Sequence, residues 1–88
     1  MPHLLVTVGS RQGLHARPAA LFVQAAARQP VKVSVGRPEQ ALVDARSLLS
    51  VLALGAGQGD TLQLSADGEH AQAALEELAL LLSQDHDD

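Results

Sequence analysis

The chain reads as an α+β protein, a two-layer sandwich of order β-α-β-β-α-β-α, with three helices stacked on one face of a mainly antiparallel four-stranded sheet. Three observations predict it. Apolar residues alternate with polar ones at His3 to Val8 and again at Thr61 to Ala66, the period of strands with one buried face. Ala71, Ala74, Leu75, Leu78 and Leu82 recur at three- and four-residue spacing, the period of a helix. Between these lie short clusters of Gly, Pro, Asp and Ser suited to turns.

Taken in order, His3 to Val8 forms the first strand, with Leu4, Val6 and Val8 facing inward and Leu5 and Thr7 outward. A polar, glycine-bounded segment from Gly9 to Gly13 follows. Pro18 then sits where proline is tolerated, in the first turn of a helix that runs through Leu21, Phe22, Ala25 and Ala26 to Arg28 and is ended by Pro30. Val31, Val33 and Val35 alternate with Lys32 and Ser34 as a second strand. Gly36-Arg37-Pro38-Glu39 supplies a tight turn, and Gln40 to Ala45 returns as a weaker third strand. Ser47 reads as an N-cap and Gly55 as a C-terminal stop for a short helix containing Leu48, Leu49, Val51, Leu52 and Leu54. Its apolar residues cover too much of the circumference for a two-sided solvated helix, so although core is their ordinary role, some of them are expected to face a partner. Gly55 to Asp60 is a glycine-rich loop, Thr61 to Ala66 the fourth strand, Asp67-Gly68 a turn, and Glu69 to Ser83 the last helix. A polar tail, Gln84 to Asp88, closes the chain.

Length and composition narrow the function. Eighty-eight residues suit one domain, 1–88, and not two. With no cysteine there is neither a disulfide framework nor a thiolate metal site, and a cytoplasmic location is expected. The alternating first twenty residues do not form a cleaved signal, and no run reaches the roughly 20 apolar residues of a membrane span. A net charge of -4 and a single aromatic, Phe22, speak against nucleic acid, which demands many neutralised phosphates or stacking platforms. Gly57 and Gly59 are not followed by the Gly-Lys-Ser/Thr of a nucleotide-binding loop.

The chemistry concentrates at Gly13-Leu14-His15-Ala16-Arg17-Pro18-Ala19. A histidine just before a helix faces backbone N–H groups that have no acceptor within the helix, so an anion carried on its imidazole would meet donors. The helix dipole adds roughly 0.3–1 kcal/mol for a nearby negative charge. Arg17 offers a guanidinium fork suited to phosphate oxygens. The same positive helix end favours neutral imidazole, the form able to attack phosphorus. A lone histidine beside glycine is by itself more often an ordinary loop residue. His3, His70 and His86 have that ordinary reading, and their spacing suits no metal site.

These residues resemble a known family. Gly13 to Ala19 resembles the active-site signature of HPr, the phosphocarrier of the bacterial sugar phosphotransferase system, and Arg46-Ser47-Leu48-Leu49 with Leu54-Gly55 resembles its second signature at nearly the same separation. The resemblance implies an open-faced sandwich with strand order 1-4-2-3. It also implies a shuttle in which His15 takes a phosphoryl group on Nδ1 from phosphorylated enzyme I and passes it to enzyme IIA domains of sugar permeases. Arg17, with the backbone of Ala16 and Arg17, would hold the phosphoryl group. Ser47 matches the family's regulatory serine, phosphorylated in many bacteria by HPr kinase/phosphorylase and read by a catabolite-control transcriptional regulator; its ordinary role is that of an N-cap. Leu48, Leu52 and Arg46 are the expected docking residues, with Val51 less favoured. No cofactor and no metal are expected, and the carrier is expected to be a monomer and not an enzyme, since one histidine and one arginine complete no catalytic cycle. Gln24 and Ala27 depart from the family's pattern, standing where many relatives place lysines, and the turn around Arg37-Pro38 holds an extra residue. Two rival readings are a regulatory paralogue phosphorylated on the same histidine and a small interaction module without covalent chemistry.

Overall fold

A computed structural model describes residues 2–11, 13, 14 and 16–84. Four strands and three helices alternate as expected: β1 (His3–Thr7), α1 (Ala16–Ala27), β2 (Val33–Gly36), β3 (Val43–Asp44), α2 (Leu48–Ala53), β4 (Thr61–Ala66) and α3 (Ala71–Ser83). The sheet order is β1-β4-β2-β3, all antiparallel. That is the order the resemblance implied.

The period-two pattern sets the register. Leu4 faces Leu64, Leu64 faces Val35 and Val35 faces Val43, so one apolar row crosses all four strands on the helix side. Leu62 and Val33 extend this surface to either side, both fully buried. A slip of one residue in any strand would turn these side chains to the opposite face, where His3, Leu5 and Thr7 are exposed. On the covered side α3 lies over β1 and β4 and packs against α1, while α1 also meets α2. The stripe Ala71, Ala74, Leu75, Leu78 and Leu82 is buried on α3. From α1, Ala19, Phe22, Ala25 and Ala26 enter the same core, and Phe22 is fully buried. Alanines at the α1 contacts let the helix backbone approach closely, which leaves Phe22 to fill the remaining volume. No helix among the described residues is long and apolar enough to cross a membrane.

Several boundaries differ from the sequence reading. Helix α1 begins at Ala16, which makes Pro18 its third residue, and the backbone N–H groups of Arg28 and Gln29 close it on the carbonyls of Ala25 and Ala26. The second strand starts at Val33, not Val31. The third strand shrinks from Gln40–Ala45 to Val43–Asp44, because Gln40 belongs to the turn: its N–H donates to the Arg37 carbonyl at 3.1 Å. As an edge strand β3 needs only a short ladder, continued by Ala45 N–H to the Val33 carbonyl at 2.9 Å. Helix α3 begins two residues later than Glu69, after a turn in which Ala71 N–H reaches the Gly68 carbonyl.

The hairpin turn therefore runs from Arg37 to Gln40, with Pro38 second and Glu39 third. Glu39 has φ +66°. Proline suits the second position and a positive φ the third, where glycine or asparagine is favoured over a residue with a longer side chain. Glu39→Gly is expected to raise stability by about 0.5–1 kcal/mol, the relieved strain exceeding the entropy that glycine adds to the unfolded chain. Thermal unfolding should show a midpoint a few degrees higher.

Candidate phosphoryl-transfer site

His15 and His86 lie outside the described residues, but both neighbours of His15 are within them. On one side Leu14 is buried, and its N–H donates to the Ala56 carbonyl at 2.8 Å. Gly13 closes a turn onto the Ser10 carbonyl at 3.0 Å and takes φ +78°. A Cβ there would stand 2.6 Å from Ala56 O and 2.7 Å from Gly57 Cα, so glycine is required both by the backbone angle and by the closeness of the facing loop. On the other side Ala16 opens α1. Helix geometry leaves the N–H groups of Ala16 and Arg17 without intrahelical acceptors, and Pro18 contributes none. The Arg17 side chain is exposed and has no hydrogen-bond or ion-pair partner among the described residues.

The Ala56 loop follows directly on α2. Ser47 caps this helix as expected: its hydroxyl accepts from Ser50 N–H at 3.3 Å and donates to Ser50 Oγ at 3.0 Å, and its carbonyl accepts Val51 N–H. The helix ends at Ala53 with Leu54 as its C-cap, and Gly55 follows with φ +62°. Beyond it, Gly59 N–H reaches the Val8 carbonyl and Val8 N–H the Asp60 carbonyl, anchoring the loop to the end of β1. The Asp60 carboxylate accepts Gly57 N–H at 2.9 Å and faces Arg37 at 3.3 Å, and these two donors hold its pKa below the ordinary value.

The apolar residues of α2 divide differently from the sequence reading. Val51 is fully buried, and Leu52 is half-buried against the core. Leu48 is 40% exposed, whereas Leu49, which was not singled out, is 82% exposed. Leu49 lies two residues, about 200°, from Val51 around the helix, and that angle is the signal that identifies its face once Val51 is known to be core. In a six-residue helix that is apolar on both sides, periodicity alone does not say which side is buried.

Arg46 reaches the surface as half of an ion pair. Its Nε and Nη2 donate to the two Asp44 oxygens at 3.1 and 3.0 Å, and its backbone N–H reaches Oδ1 at 2.9 Å. These bonds lower the Asp44 pKa from 3.8 to about 2. Sequence reasoning missed Asp44 because a charge two residues away in an edge strand gives no periodic signal. Gln24 and Ala27 are exposed on α1, and Arg28 is exposed just beyond its end.

Comparison with known proteins fits this arrangement. The family model described as "PTS HPr component phosphorylation site" matches residues 4–84. The phosphocarrier protein HPr of Streptomyces coelicolor is 47% identical over 79 residues, which are 90% of this chain and 85% of that one. Its counterpart from Pseudomonas aeruginosa is 42% identical over 88 residues, 100% of this chain and 98% of that one. The crystal structure of a phosphocarrier protein HPr from Bacillus anthracis superposes with a TM-score of 0.85 at 34% identity, covering 92% of this chain and 95% of that one. The class defined by fold and comparison is a phosphocarrier and not an enzyme. The chain belongs to the HPr family of the phosphotransferase system.

The Asp44–Arg46 pair makes a pH prediction. Because the carboxylate pKa is depressed in the folded chain, its stabilising contribution is present above the unfolded value near 4 and is lost as pH falls toward about 2. A carboxyl NMR titration should place the Asp44 midpoint at about 2, and Arg46→Met should return it toward the ordinary carboxylate range.

Proposed function

We propose that this chain relays a phosphoryl group through His15, from phosphorylated enzyme I to enzyme IIA domains of sugar permeases. The observation that carries the proposal is the junction around Leu14: its bond to Ala56 brings the start of α1, with the exposed Arg17, against the loop that ends α2. The start of α1 supplies cationic and N–H donors, and the apolar helix α2 lies beyond the facing loop.

In the transfer the lone pair on Nδ1 of neutral His15 attacks phosphorus, the bond between phosphorus and the donor's leaving atom breaks with its electron pair going to the donor, and the Nε2 proton stays in place. The phosphoryl oxygens gain the Ala16 and Arg17 N–H groups and the Arg17 guanidinium as donors. Little covalent machinery is needed, since phosphoryl transfer depends chiefly on positioning and on charge stabilisation. Docking rests on Leu49, Leu48 and Leu52, with the Arg46–Asp44 pair at the rim. Exposed apolar side chains on one short helix form the kind of central patch from which binding energy comes.

Ser47 fits a regulatory role by the same geometry. A kinase that phosphorylates its hydroxyl would remove the proton that Ser47 donates to Ser50 Oγ, leave acceptor oxygens facing Ser50 N–H, and set a dianion beside Leu48 and Leu49, so transfer from enzyme I would slow. A catabolite-control transcriptional regulator would read that phosphorylated form.

Incubation with enzyme I, Mg²⁺ and labelled phosphoenolpyruvate tests the relay. Acid-labile, alkali-stable label is expected on the chain and absent from His15→Ala, and Arg17→Ala should transfer at least about tenfold more slowly. Leu49→Glu should raise the KM for the carrier by about 5- to 30-fold, the equivalent of about 1–2 kcal/mol of docking energy, without preventing label at saturation. A chain that takes no label beside a competent enzyme I would favour a non-covalent interaction module instead.

A further inference from the structure

The loop that receives Leu14 is also gripped from its outer side by a residue the transfer chemistry does not use. Arg37, in the turn between β2 and β3, extends a single guanidinium nitrogen, Nη2, to three acceptors of the α2–β4 connection. These are the Leu54 carbonyl at 3.1 Å, the Gly55 carbonyl at 3.3 Å and the Asp60 carboxylate at 3.3 Å. Asp60 in turn accepts Gly57 N–H at 2.9 Å, and Gly57 O accepts Asp60 N–H at 3.0 Å. Residues 54–60 are thus closed into a rigid arc. Ala56, at its centre, is buried and supplies the carbonyl for Leu14.

We propose that Arg37 is a positioning residue for phosphoryl transfer, acting through the Asp60 carboxylate and the 54–60 arc on the segment that carries His15; this rests on the phosphohistidine reading given above. The side chains of the ion pair are 35% and 40% exposed, so its Coulombic contribution to global stability is small. Its significance is geometric. Leu54 and Gly55 carry carbonyls at the end of α2, where helix geometry leaves acceptors without intrahelical donors, and a cation there also complements the helix terminus. Without Arg37 these carbonyls and the Asp60 carboxylate turn toward water, and the arc loses the contact that fixes its curvature. Gly13 lies so close to Ala56 O and Gly57 Cα that movement of the arc is passed directly to the residues preceding His15. The docking side chains of α2 are held separately, through the Ser47 cap and the buried Val51. The effect is therefore expected in the transfer step rather than in partner binding.

The test measures kcat and KM of the carrier as phosphoryl acceptor from enzyme I, for the unsubstituted chain, Arg37→Met, Arg37→Lys and Asp60→Asn. All are assayed at a temperature where circular dichroism shows each folded. Arg37→Met is expected to lower kcat about five- to tenfold with KM within about twofold of the unsubstituted value, since small misplacement of a reacting group is costly. Arg37→Lys, which keeps a cation and a donor, should recover part of the loss. Asp60→Asn removes the charge facing Arg37 yet keeps an acceptor for Gly57 N–H, and should fall between; it carries the test if Arg37→Met does not fold. Unchanged kcat in the folded variants overturns the proposal, as does a loss confined to KM or one that Lys does not relieve. Failure of the unsubstituted chain to take label on His15 is a different result, which removes the phosphohistidine reading and this role with it.

Discussion

The arrangement of the site depends on one close approach between two loops far apart in sequence. Gly13 lies against Ala56 and Gly57, and Leu14 N–H bonds to the Ala56 carbonyl at 2.8 Å. Any side chain at position 13 would collide with the facing backbone and would also have to adopt a φ of +78°. This contact determines where α1 begins relative to the end of α2. Leu14, buried by the same contact, joins the core alongside Phe22 and Val51, so the loop is held by apolar packing as well as by a hydrogen bond. Functional loops usually owe their position to the scaffold beneath them. Here the scaffold reaches into the loop itself.

Helix α2 shows the same dependence. Six residues are too few for a helix to persist alone in water. It is supported by the Ser47 cap at its start and by the fully buried Val51 at its centre, while Arg37 bonds to carbonyls of the connection that follows it. Because so few of its side chains are needed for the core, Leu48 and Leu49 remain available on the surface. A longer amphipathic helix would have a solvated face; this one presents leucine outward, and that exposed apolar surface is what supports the docking role proposed for it.

Much of this was legible in the chain, and the reasons differ by element. Strands β1 and β4 and helix α3 follow from periodicity, because each buries one face against a single layer. The caps of α2 at Ser47 and Gly55 were readable from local chemistry alone. Gly13 to Ala19 indicated the family through its resemblance to the HPr signature, and that family is the one the comparisons show. What stayed hidden was long-range or geometrically short. The two-residue β3 has no period to detect, and its boundary follows from a turn that starts one residue later than the Gly36-Arg37-Pro38-Glu39 reading. Arg37 and Asp60 meet only after β2 and β4 are paired, and nothing local to either residue announces the other. Leu49 was passed over because only the depth of Val51 reveals which side of α2 faces out.

The most direct test of the Gly13–Leu14 constraint is amide hydrogen exchange at Leu14. If the contact is as closed as the geometry requires, the Leu14 N–H exchanges on the slow scale of sheet amides such as Leu64, and Gly13→Ala speeds it by at least about tenfold while Leu64 changes less. Exchange of Leu14 in the unsubstituted chain at the rate of an open loop would contradict the account, because the start of α1 would then be free of the α2 loop.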